Sequence, residues 1–192
     1  MAIRSLKSGT FSRSGMVGNP VIMPGSYESI ATATGTGSSG TITFSNIPQT
    51  YSHLQVRMLG RLTGASGNNN NAVRLNGDTG SNYFTHSLYG DGSSATASAA
   101  PYAITLFYGG SIPGDGALAN SYGVSVIDIL DYSNTNKYKT ARVLGGMDFN
   151  GSGSASLQSG LWMSTSAVTS ITCISAGNNW TTGTQIALYG VN

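Results

Sequence analysis

From Glu28 onward the chain alternates apolar and polar residues in short runs, each closed by a cluster of Gly, Ser, Asn or Asp. The runs are ESIATAT, TITF, HLQVRMLGRL, AVRLN, YFTHSL, YAITLFY, YGVSVIDIL, KYKTARVLG, ASLQSGLW, VTSITCI and TQIALYG. In HLQVRMLGRL, Leu54, Val56 and Met58 fall on one pleat face, and Gln55, Arg57 and Arg61 on the other. No segment of helical period stands between any two runs. Regularly spaced strands without helices predict a sandwich or a closed barrel. The sheets should be antiparallel, because parallel pairs need crossovers of a dozen or more residues. We therefore expect one all-β domain over residues 27–192, an antiparallel β-sandwich of two packed sheets.

One stretch, GTGSSG at residues 35–40, has the spacing of a dinucleotide-binding loop. Such a loop must open a helix, whose N-terminus supplies the N–H groups and the dipole. Here it leads into TITFSNIP, which is β-branched, alternating and closed by Pro48. The expectation is a loose hairpin turn and no nucleotide.

Residues 1–26 show neither period. They carry Gly9, Gly15, Gly18, Pro20, Pro24 and Gly25, with Ile3, Leu6, Phe11, Met16, Val17, Val21, Ile22 and Met23 scattered singly. A plain disordered tail is poorer in apolar groups. This stretch is expected to be an extended N-terminal docking arm that orders itself on a partner. Arg4, Lys7, Phe11, Arg13, Met16 and Val17 are its candidate contacts.

Composition reinforces the β reading. Only 8% of the 192 residues are charged, with three Lys and one Glu, so good helix formers for exposed faces are scarce. The start, MAIRSLKSGT, lacks the apolar run of a signal peptide, and no stretch approaches the ~18 apolar residues of a membrane span. The expectation is a protein that is soluble when made, with no membrane partner. The single cysteine, Cys173, rules out an intrachain disulfide. Net charge is +2, but its placement matters more. Residues 1–27 hold Arg4, Lys7 and Arg13 and no acid, whereas residues 28–192 hold six basic and seven acidic residues. Three cations without interleaved aromatics disfavour nucleic acid and favour an acidic protein surface.

The candidate chemistry is sparse. Asp78, Asp91 and Asp115 each adjoin Gly between strands, where Asp forms side-chain turns. Asp128 interrupts an apolar strand and is expected to pair with Arg142 or Lys139. With Asp131 at i+3 it would point to the opposite face, which disfavours a carboxylate dyad. His53 and His86 are too few for a zinc site with one cysteine. Cys173 sits in an apolar pattern as a core residue. No Gly-x-Ser-x-Gly elbow occurs. We therefore expect no enzymatic activity, no catalytic residues, no cofactor and no metal. Tyr102, Phe107, Tyr108, Trp162 and Trp180 lie in or beside strands as core or edge residues, and a polar surface with an exposed ring could still bind a glycan.

Taken together, YESIATATGTGSSGTITFSNIPQTYSHLQVR, VRLNGDTGSNY, LYGDGSS, VIDILDYSNTNKYKT, SGLWMSTSAVTSIT and IALYGVN resemble, in order over residues 27–192, a domain recurring in structural proteins of tailed bacteriophages, especially marine and cyanobacterial ones. The resemblance implies a virion component, assembled in the host bacterial cytoplasm, with a jelly-roll-like sandwich; it implies no particular catalytic residues, and none is carried over. An arm joined directly to a compact domain, without a shaft, suits a capsid decoration or cement protein. A small tail appendage or fibre-type protein, binding a receptor or host-surface glycan, is the alternative. The expected partners are two further copies in a homotrimer, together with the major capsid protein or tail proteins. Leu118, Leu157 and Leu161 are apolar groups expected near loops, where a partner could cover them.

Overall fold

The computed structural model describes residues 26–100, 103–175 and 177–192. Among these, all regular structure is β. The strands are β1 (Tyr27–Thr34), β2 (Thr41–Phe44), β3 (His53–Gly60), β4 (Asn69–Leu75), β5 (Tyr83–Gly90), β6 (Ala95–Ala99), β7 (Phe107–Ile112), β8 (Gly123–Leu130), β9 (Lys139–Asp148), β10 (Gly153–Trp162), β11 (Ile171–Ser175) and β12 (Gln185–Val191). They form an eight-stranded sheet, β1-β12-β3-β8-β9-β10-β5-β6, and a four-stranded sheet, β2-β11-β4-β7. Every pairing is antiparallel.

Setting aside two hairpins exposes the plan. β1-β12-β3-β8 over β2-β11-β4-β7 is the eight-stranded jelly roll, two Greek keys wrapped into a sandwich. Hairpin β5–β6 is inserted between β4 and β7, and hairpin β9–β10 between β8 and β11. Both add to the larger sheet alone, which therefore extends beyond the smaller one.

The alternation read from the sequence supplies the core. Leu54, Val56 and Met58 of β3 point inward with Ile127 and Ile129 of β8, Val73 and Leu75 of β4, and Ile186 and Leu188 of β12, all buried. Phe107 and Trp162 flank Tyr83, each with its ring centroid 6.3 Å from the Tyr83 ring. Under the inserted hairpins the two sheets approach closely: a Cβ on Gly160 would stand 2.6 Å from the Phe107 ring.

Two local expectations are corrected. GTGSSG is not a hairpin turn, because β1 pairs with β12 and β2 with β11. The loop instead carries the chain from one sheet to the other, pressed against the segment before β12. Gly35 N–H donates to Thr184 O at 3.0 Å and Gly37 N–H to Trp180 O at 2.8 Å. A Cβ on Gly35 would lie 2.1 Å from Thr181 O, so glycine is required by close approach. Arg61 lies beyond the end of β3 and is buried, its Nη1 donating to Leu118 O at 3.0 Å and Ser121 O at 2.9 Å.

Candidate interaction surface

The outer face of the eight-stranded sheet is built by the outward positions of each strand, and the register aligns them into rows. In one row Val126 pairs with Leu144, Leu144 with Leu157, Leu157 with Leu88 and Leu88 with Ala97. In the next, Leu59, Val124, Gly146, Ala155, Gly90 and Ala95 follow in the same way. The large side chains here are open to solvent: Leu144 is 61% exposed, Leu88 53%, Val124 53% and Leu157 48%. A hollow of about 780 Å³ runs beside Leu88 and Leu157, bounded by His86, Ala97, Ala99 and Arg142. The outer face of the smaller sheet differs in kind. It presents Thr41 and Thr43, with the Thr43 and Thr172 hydroxyls hydrogen-bonded at 3.0 Å.

A polar row borders the aliphatic ones and is closed on itself. Arg142 Nη2 and Asp128 Oδ2 form an ion pair at 2.7 Å, and Gln55 Nε2 donates to Asp128 Oδ1 at 2.7 Å. Arg57 Nε donates to Gln55 Oε1 at 2.6 Å, and its guanidinium lies over the rings of Tyr27 and Tyr189 at 4.9 and 4.7 Å. Asp128 thus takes Arg142, one of the two partners expected for it. Lys139, the other, points inward and is buried. Its Nζ donates to the carbonyls of Asn134, Lys137 and Thr165, and burial pushes its pKa down despite the charge of Asp131.

Several further ionisable groups are likewise committed to structure. Asp78 accepts from Trp162 Nε1 at 2.8 Å, Asn82 Nδ2 at 2.9 Å and Gly80 N–H at 2.8 Å, and these bonds hold its carboxyl below the usual range, with Trp162 contributing most. Asp91 accepts from the N–H groups of Ser93 and Ser94 and is lowered to about 2. Both are turn formers as read, and Asp78 also anchors a buried indole. Asp131 follows the last residue of β8, with Lys137 at 2.7 Å, while its own N–H donates to His53 Nδ1 at 3.0 Å. His53 and His86 lie on β3 and β5, four strand spacings or about 19 Å apart, too far to share an ion. Among the described residues no three His, Cys, Asp or Glu side chains gather. Cys173 is fully buried, and burial pushes its thiol up to about 12, so it is no thiolate nucleophile.

Phe107, Trp162 and Trp180 are core residues, and Tyr108 is 40% exposed. Tyr102 lies outside the described residues, as do all six arm residues, Arg4, Lys7, Phe11, Arg13, Met16 and Val17. Leu118 is 54% exposed in a loop, and Leu157, instead of flanking a loop, stands mid-sheet. Compared with known proteins, the chain matches no family model and no curated sequence.

Proposed function

We propose that this chain is a structural, non-catalytic component of a tailed-phage virion, a capsid decoration or cement protein. Residues 1–26 attach it to the particle, and the jelly roll is the displayed body, assembled as a trimer. The observation that carries this reading is the aliphatic outer face of the larger sheet. A soluble body seldom leaves a continuous apolar sheet face wet unless something covers it. The non-catalytic part rests on the commitment of Asp78, Asp91, Asp128, Lys139 and Cys173 to turns, ion pairs and packing. The virion assignment rests on the resemblance of the strand and turn segments to phage structural domains.

The test is to locate the chain in purified parent virions by mass spectrometry and cryo-EM, and to measure rebinding to particles lacking it. Full-length protein should rebind and protein without residues 2–26 should not; equal binding of the two would remove the arm from the reading. A tail appendage that binds host glycan is the second reading, and it draws on Tyr108, exposed on the hydroxyl-bearing face of the smaller sheet. Glycan-array binding lost on Tyr108→Ala would favour it.

A further inference from the structure

The uncovered face has a shape, a charge balance and a boundary that together point to what covers it. Resting on the assembly reading above, we propose that the outer face of β3, β8, β9, β10 and β5 is the interface between copies of this chain, with Leu144 and Leu157 at its centre.

Size is the first argument. These strands have 8, 8, 10, 10 and 8 residues. At ~4.8 Å between strands and ~3.3 Å per residue the face measures about 24 by 30 Å, roughly 700 Å². A standard specific interface takes ~800 Å² from each partner, so further copies of this body are a sufficient cover and a short peptide would leave much of the face wet. Charge is the second. Outward Arg57 and Arg142 are balanced by outward Asp128 and Asp148, and from β8 to β5 the aliphatic rows carry no charge, Arg57 of β3 standing opposite Val126 at the end of one of them. A face with a net charge repels its own copy; this one does not, and it offers little to a strongly charged partner.

The boundary is the third. The sandwich has four sheet edges, and three are blunted in the ways that discourage strand addition. β1 carries a bulge between Ser29 and Ala31, β2 is only four residues long, and the β4–β7 ladder shifts register at Asn71 and Ala72 beside Gly110, whose φ is +103°. β6 reads Ala-Thr-Ala-Ser-Ala, without charge, proline or bulge, and all five residues are exposed on both faces. The aliphatic rows run onto this strand at Ala95 and Ala97 and stop there. A strand held by one neighbour and covered by nothing is marginal in isolation, so the patch ends where support from its own chain ends.

The test is the mass of the full chain by light scattering, for wild type and for Leu144→Asp and Leu157→Asp made separately. Both side chains are already about half exposed or more, so the far-ultraviolet spectrum of the folded chain should be unchanged. Wild type should run as an oligomer, and each variant should fall to the mass of a single chain. Leu118→Asp, exposed but away from the sheet, should keep the wild-type mass. A monomeric wild type, whether its face is covered by residues 1–25 or left bare, overturns the proposal. So does an oligomer that survives both substitutions. A chain found in virions whose oligomer ignores both substitutions would sink this interface and leave the virion reading standing.

Discussion

At the scale of single residues, the polar groups of this protein act as fasteners. Asp78 joins the turn after β4 to Trp162 at the end of β10, and Trp162 is 2% exposed. Asp78→Ala would leave a buried indole N–H and the Asn82 amide without an acceptor, at a cost of about 1–3 kcal/mol, measurable as a lower denaturant midpoint. Lys139→Met should destabilise by a similar amount, because three carbonyls lose their donor together. The carboxylates also set a pH limit. Asp91 has a folded pKa of about 2 against 3.8 unfolded, and Asp78 is shifted in the same direction. Each binds fewer protons folded than unfolded, so its contribution is complete above pH 4 and is lost as pH falls from there toward 2. Thermal melts of wild type should therefore drop across that window, and Asp91→Asn should flatten the drop. The turn role of these residues was legible from Asp-Gly neighbours. The destination of Lys139 was not: alternation gives a side chain's face, whereas the carbonyl cage that holds it joins the turn just before β9, at Asn134 and Lys137, to Thr165 in a later loop.

At the scale of elements, strands announced by alternation formed close to where the pattern put them, and the exceptions have physical causes. The run YAITLFY contributes only Phe107 and Tyr108 to a strand. β6, by contrast, has no signal, since Ala and Ser have little intrinsic preference for strand; it exists because β5 offers it a ladder from His86 to Gly90. The aliphatic face was hidden for a related reason. In VSVIDIL both pleat faces carry aliphatics, so period two cannot say which is outside; only strand order shows that the smaller sheet covers one of them. The close approach of β7 to β10 yields a further prediction. Gly160→Ala drives a Cβ into the base of the Phe107 ring, whose inner atoms cannot swing aside. It should cost about 1–3 kcal/mol and lower the melting temperature.

At the scale of the whole molecule, the division of labour follows the topology. Eight strands close the jelly roll, and the two inserted hairpins widen one sheet without contributing a strand to the other. The exposed leucines Leu88, Leu144 and Leu157 all sit on those insertions. The proposed assembly face can therefore vary in sequence while the sandwich that supports it stays fixed. The pairing of β1 with β12 has a different consequence, a mechanical one. Tyr27 stands opposite Val191 and Thr34 opposite Gln185, and Asn192 N–H donates to Ser26 O at 3.3 Å. Residues 26 and 192 thus leave the sheet at the same end of one antiparallel ladder. A pull between them opens the ladder like a zipper, one pair at a time, whereas a pull between residues 34 and 192 loads all seven paired positions in shear. Single-molecule stretching should find the first geometry much the weaker. A body tethered through residue 26 would hold best when the opposing load enters through the face of its sheet, and peel when the load enters at residue 192.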